Sequence, residues 1–600
     1  MEDRRRASQR LDRQFRRIGN ARLVAGFAAV AVAFFVFGEV WISLWWLLLP
    51  LAVFGALVIV HARVVERMER SKRAIQFYEL GVARLEDRRP EVQPEVQWTG
   101  SGESGERFRD PAHVYAEDLD LFGKGSLFEL LSTARTRAGE DTLARWLLAS
   151  ASRDEVAARH LAVQELCTLL DLREDLAVLG AEVRAELDPD AAAAWGEAPE
   201  VRFPAGAQYI APLFGAALVI SFALYMADIF TRTPFLAVLF LEMGYAFFVL
   251  GPQTSRVSDA VDSPSRDLAL LAQLLQRLER ETFHAPLLQQ LHARLKGESQ
   301  QMASAQIARL GRLKARLDWQ ENKVFAPIAN GLLWTAQVAM AIERWRRVSG
   351  RHVREWIDTV GEFEALCSLA GYSYEHPADV FPELTLPDFE GAPGGCFEAD
   401  AIGHPLMPES HSIRNNVKLG GETRLWIVSG SNMSGKSTLL RTIGINTVLA
   451  WAGAPVRARR LKISPLTLGA SIRILDSLQD GRSRFYAEIT RLREIVALTN
   501  GPRPVLFLLD ELLSGTNSHD RQIGASAIVR ALIDRGAMGL ITTHDLALAH
   551  IADELPGRAV NVHFADTLEN GQLHFDYRLQ PGVVQRSNAL DLMRSVGLEV

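Results

Sequence analysis

Gly430-x4-Gly435-Lys436-Ser437 sets two glycines, a lysine and a hydroxyl at the spacing needed to wrap a polyanion. Glycines let backbone N–H groups close on anionic oxygens, and a helix starting at the lysine adds its positive end. The apolar run Leu425 to Val428 precedes the loop and a helical pattern, Leu439, Leu440 and Ile443, follows it, which is the strand–loop–helix setting this motif requires. Gly430, Ser431, Asn432, Met433, Ser434, Gly435, Lys436, Ser437 and Thr438 therefore read as a nucleotide phosphate loop. In it Lys436 reaches the β- and γ-phosphates and the Ser437 hydroxyl binds Mg2+.

A second apolar run, Val505 to Leu509, ends in Asp510-Glu511. A strand that delivers Asp510 to Mg2+ and Glu511 to an attacking water is the other half of a P-loop ATPase site. The plainer alternative is a buried strand that ends in acids for solubility. A third run, Gly539 to Thr543, ends in His544-Asp545, and a histidine there can sense a γ-phosphate by hydrogen bonding. Taken by itself, His544 reads as a surface histidine.

The elements that must position these groups differ along the chain. The net charge of −6 excludes a generally basic, histone-like protein, so any nucleic-acid contact has to come from a local patch. Cys167, Cys367 and Cys396 form no CxxC pair, which indicates neither a disulfide framework nor a zinc site. An arginine-rich start (Arg4, Arg5, Arg6, Arg10, Arg13, Arg16, Arg17) leads into an apolar stretch, Leu23 to Val60, interrupted only by Glu39. With about 20 residues per helical span, that stretch fits a membrane hairpin, and Trp41, Trp45 and Trp46 suit an interfacial belt. Tyr209 to Met226 and Pro234 to Leu250 form a second such pair, with buried core helices as the alternative. Lys and Arg flank the first hairpin on one side only, which puts both termini and everything after Gly251 on the cytoplasmic face of a bacterial-type inner membrane. Phe325 to Ile342 is long enough to span but holds Pro327, Asn330 and Gln337, so it is expected to be one buried soluble helix. The spans are read as carrying no buried charge, which leaves no solute path.

The combination SGSNMSGKST, then LLDELLSGTNSHD at Leu508 to Asp520, then TTHD at Thr542 to Asp545, resembles the ATPase domain of the MutS mismatch-repair family, a branch of the ABC-type ATPases. Gly403-His404-Pro405, Asn415-Asn416, Ser483 to Glu488, and Phe575 to Gly582 with Ser587 agree with it, and Tyr115 to Leu131 and Glu362 to Pro382 look like the two ends of the family's helical core. The resemblance implies ATP and Mg2+ as cofactors, with Lys436 and Ser437 on phosphate and metal, Asp510 on Mg2+, Glu511 on water and His544 monitoring the γ-phosphate. It also implies a homodimer whose composite sites receive Ser483, Ser514, Gly515, Thr516 and Asn517 from the neighbour, with Ile413 covering the adenine.

The expected architecture is multidomain: a basic cytoplasmic tail (1–20), transmembrane hairpin 1 (21–61), a helix and linker (62–105), an all-α MutS-like core (106–205), transmembrane hairpin 2 (206–252), further core and lever (253–385), and an α/β P-loop ATPase domain of ABC type (386–600). The family's mismatch-reading domain and strand-rich clamp are not visible, and no dimerisation module is expected after Val600. Phe37-Gly38-Glu39 imitates the mismatch-reading motif, but inside an apolar span it cannot stack on DNA. Arg309, Arg312, Lys314, Arg316, Arg344, Arg346, Arg347 and Arg351 could contact DNA phosphates or face lipid. Three functions follow: a membrane-anchored, nucleotide-gated dimer acting on DNA, a membrane ATPase switch that moves a protein or lipid partner without nucleic acid, or a scaffold that binds nucleotide without turnover.

Overall fold

The computed structural model describes residues 1–38, 43–85, 104–184, 188–296, 301–321, 325–385, 395–431, 434–473, 484–513, 516–569 and 572–584. Asn432, Met433, Ser483, Ser514, Gly515, Ser587, Glu39, Trp41 and most of the linker lie outside them. The chain divides into two compact units, Met1–Thr99 with Leu170–Leu187, and Gly100–Leu169 with Asp188–Val600.

In the first unit, helices Glu2–Gly38 and Leu48–Leu85 pack along one another, and Leu170–Arg184 packs on the second of them. The buried Glu174 carboxylate ties the pair together, accepting from the Tyr78 hydroxyl at 2.6 Å and lying 2.9 Å from the Arg4 guanidinium. Further along, large apolar side chains such as Phe27, Phe34 and Trp45 point outward.

The second unit begins with packed helices. Thr136 caps Arg137–Leu148 by accepting from the Gly139 N–H, and Ser152 with Glu155 forms a capping box on Arg153–Thr168. Such caps satisfy N–H groups that the first helical turn leaves without partners. Both helices pack on Val353–Glu375. There the buried Glu364 carboxylate accepts from the Thr136 hydroxyl and from the N–H groups of Arg135 and Thr136, although burial pushes the acid up to about 6.

The second apolar pair is Ala207–Met226 and Arg232–Gly244; the latter passes through a π-helical turn, Tyr245–Leu250, into Gly251–Glu279. Among the described residues four helices are long and apolar enough to cross a membrane: Glu2–Val36, Trp45–Leu85, Ala207–Met226 and Arg232–Glu279. One of them contradicts the reading of spans free of buried charge, because Glu242 in the third turn of Arg232–Gly244 is only 1% exposed. A single acid inside an apolar run barely changes its hydropathy, so only packing reveals that it faces inward.

Gly251–Glu279, Ala303–Asp318 and Trp334–Ser349 form a packed arm. Phe325 to Ile342 is not the one helix expected. It breaks at Leu333, whose φ of 47° lies in the left-handed region, into Ala326–Gly331 and Trp334–Ser349. The basic arm also needs correction. Arg346 is buried, paired with Glu343 at 2.7 Å and donating to the Trp195 and Pro199 carbonyls, and Lys314 pairs with Asp262 and Asp318. Arg309, Arg312, Arg316 and Arg347 stay exposed.

The carboxy-terminal region holds two sheets. β1 (Glu383–Leu384), β2 (Cys396–Ile402), β3 (Asn415–Gly420) and β5 (Arg460–Ile463) form one, in the order β1-β5-β2-β3. β4 (Leu425–Ser429), β6 (Thr467–Ser471), β7 (Val505–Leu509), β8 (Met538–Thr543), β9 (Ala559–Glu569) and β10 (Gln572–Pro581) form the other, in the order β10-β9-β4-β8-β7-β6. From β9 to β6 neighbouring strands run parallel, and every residue of β7 and β8 is buried. Parallel strands covered on both faces read as continuous apolar runs, and each buried Leu or Phe contributes about 1.5–3 kcal/mol.

Candidate nucleotide-binding site

Strand order brings the candidate residues together. β8 lies between β4 and β7, with Ser429 opposite Thr543 and Leu509 opposite Ile541. The phosphate loop, Asp510-Glu511 and His544 therefore emerge at the same carboxyl edge of the sheet, where open α/β sheets bind ligands.

The loop starts at Gly430 (φ 155°) and ends at Gly435 (φ 99°), backbone conformations that disfavour any side chain. Helix Lys436–Ala452 begins at the next residue. Lys436 is 5% exposed and donates to the Gly430 and Ser431 carbonyls at 2.9 and 2.8 Å. Burial lowers its pKa while Glu511 and Asp510 pull it back up, so both acids act on this ammonium. Among the described residues, the buried Ser431 and Ser434 hydroxyls have no hydrogen-bond partner. A buried cation bonded to two carbonyls, beside hydroxyls that lack acceptors among the described residues, suits an anionic oxygen cluster.

Across the edge, one threonine organises both acids. The Thr542 hydroxyl donates to the Asp510 carboxylate and accepts from the Glu511 N–H at 3.0 Å. Glu511 and Leu513 sit at φ 47° and 55°, and such strained non-glycine positions cluster at functional sites. Buried Glu488 stabilises that turn by accepting from the Leu513 N–H. His544 Nδ1 lies 3.3 Å from the Glu511 carboxylate, and both side chains reach solvent.

A cavity of about 540 Å3 opens beside the loop, with Lys436, Ser437, Thr438, Glu511, Ile413 and Tyr577 among its lining. Asn415 fixes the Tyr577 wall by donating to its carbonyl at 3.0 Å and accepting from the Leu579 N–H at 2.9 Å. Asp510 meets the others through Thr542 rather than through the cavity wall. Thr516 and Asn517 lie apart from this cavity at the start of helix Ser518–Asp534, which Asn517 caps by accepting from the Asp520 N–H.

Sequence reasoning missed Thr542 and Tyr577. The first was legible as a hydroxyl ending the strand beside Asp510. Tyr577 had no local signal, because its place depends on the β9–β10 pairing and a positive φ of 54°. The site edge is also braced from the helical core. The Asp118 carboxylate accepts from the Ile472 and Arg473 N–H groups at 2.6 Å, and Asp120 pairs with Arg473 and, at 3.2 Å, with Arg441 of the loop helix.

Against known proteins, this region is where the similarity concentrates. Residues 426–599 match MutS domain V. The chain is 34% identical over 213 residues to an endonuclease MutS2 of Thermus thermophilus, an alignment covering 34% of this chain and 27% of that protein. It is 31% identical over 270 residues to a DNA mismatch repair protein MutS of Natronomonas pharaonis, covering 44% of this chain and 29% of that one. A DNA mismatch repair protein MutS 2 of Halobacterium salinarum is 33% identical over 203 residues, which is 32% of this chain and 23% of the relative. The chain thus spans less than a third of the length of these relatives. The MutS domain V match contains Lys436, Asp510, Glu511, His544, Thr542 and Tyr577, and it leaves Ile413 and Asn415 before its start.

Proposed function

We propose that this chain is an ATP-hydrolysing, MutS-type switch anchored in a membrane, working as a nucleotide-gated homodimer on DNA. The observation that carries the ATPase reading is the convergence of Lys436, Thr542-bound Asp510, and Glu511 with His544 on one sheet edge. In this reading Lys436 and the loop N–H groups hold the phosphates, and the Ser437 hydroxyl and Asp510 hold Mg2+. Bound Mg–ATP supplies the γ-phosphoryl group whose presence or loss biases two states. Glu511 orients water, and His544 holds the Glu511 carboxylate in place. In this reading Thr516 and Asn517 are presented to a second copy, Asn517 exchanging its contacts with Asp520 for that role.

The DNA assignment is supported by the names of the relatives and by exposed Arg309, Arg312, Arg316 and Arg347. The test is duplex and branched DNA binding by the full chain. Affinity is expected to fall about tenfold or more between ~50 and ~200 mM salt, and the chain is expected to sediment as a dimer with ATP only. Binding to no DNA, or salt-independent binding, removes DNA from the proposal. Because Arg346 is buried and Lys314 is paired with Asp262 and Asp318, a second reading keeps weight: the same switch moving a protein or lipid partner without nucleic acid.

Membrane anchoring is supported by the four long apolar helices and their outward Phe and Trp side chains. Glu39→Cys and Asp228→Cys are expected to react with an impermeant thiol reagent on intact cells, and Ser518→Cys only after lysis. Equal labelling of all three before lysis would remove the proposed topology.

A further inference from the structure

Glu242 is the acid that the apolar pattern hides. It is 1% exposed, and among the described residues neither carboxylate oxygen has a hydrogen-bond partner. A buried carboxylate without a partner is costly unless a cation or proton joins it, and inside a span such a residue marks a site. It lines a cavity of about 830 Å3, within the size range of small-molecule sites. Phe235, Leu239 and Phe247 supply apolar wall, Asp259 supplies a second acid, and among the described residues no Lys, Arg or His lines it. The turn that follows, Tyr245–Leu250, is π-helical, a departure that concentrates at functional sites because the wider turn shifts side chains off the α-helical register.

We infer that this cavity binds an ammonium-headed amphiphile, its charge on Glu242 and its apolar body along Phe235, Leu239 and Phe247. The sign of the lining selects a cation and its apolar area selects one carried on hydrocarbon. A bare metal ion suits it less well, because a hard cation favours several charged oxygen ligands and no group of three or more Asp, Glu, His or Cys side chains that could hold one occurs among the described residues. The inference is independent of the ATPase reading and rests on the membrane reading only for a ligand drawn from the bilayer.

The experiment uses the full chain in phosphatidylglycerol nanodiscs, whose lipid has no ammonium group, with dodecylammonium and its neutral twin dodecanol measured by calorimetry against empty discs. Wild type is expected to prefer dodecylammonium. Glu242→Gln is expected to weaken it about tenfold or more and leave dodecanol unchanged. Ala246→Trp, which fills the cavity and keeps the acid, is expected to abolish binding of both. Wild-type dodecylammonium affinity in folded Glu242→Gln or folded Ala246→Trp, or equal binding of both probes to wild type, overturns the inference. Displacement of dodecylammonium by phosphatidylethanolamine added to the discs makes the ligand a lipid, and no displacement makes it a free amine; both uphold the site. ATP turnover in the same discs reports separately on the proposed ATPase.

Discussion

Lys436→Ala is expected to lower ATP turnover about 10²–10³-fold, the loss typical when one donor aimed at developing charge is removed from a preorganised site. The side chain is 5% exposed and tethered to two carbonyls of its own loop, so it is already held near where phosphate oxygens would lie. Its burial depresses the ammonium, and a bound polyanion would offset that penalty where the loop carbonyls do so only in part. Nucleotide affinity should therefore fall together with turnover. Steady-state hydrolysis and binding of a fluorescent ATP analogue by the full chain measure the two. An unchanged rate would mean that hydrolysis, if any, occurs elsewhere.

Glu511→Gln should separate those two quantities. The amide keeps the shape and the backbone N–H to Thr542, but removes the negative charge that in the proposed mechanism would orient and deprotonate water, a contribution of about 10²–10⁴ in rate. Binding is expected to persist, and the proposed ATP-dependent dimer to accumulate because the step that would release it is slowed. Dimer lifetime in ATP and single-turnover hydrolysis read this directly. If Glu511→Gln hydrolyses ATP at the wild-type rate, the water-orienting role belongs to another residue, and the His544–Glu511 contact is structural.

The phosphate loop and the acidic strand end were readable locally because each packs its chemistry into a few consecutive residues with a required backbone shape. The same holds for the long apolar helices, whose length and composition are properties of a window. Phe325 to Ile342 was misjudged because its composition suits one helix, whereas the break lies in a single backbone angle at Leu333 that no residue type announces. Arg346 and Lys314 read in sequence like the other basic residues that could meet phosphates or lipid, because a charge looks the same whether it is unpaired or tied to Glu343, or to Asp262 and Asp318.

Spacing and residue type by themselves determined the strand–glycine loop–helix, the acid-bearing strand, the long apolar helices and the mixed α/β character after Cys396, since each is set by contacts a few residues apart. Only the tertiary structure decided that β8 would lie between β4 and β7, that Thr542 would hold both acids, that Tyr577 would reach the loop beside Gly435, and that Glu242 would turn toward a cavity. Strand order and side-chain facing are decided by which distant surfaces bury one another, a choice made by the packed chain as a whole.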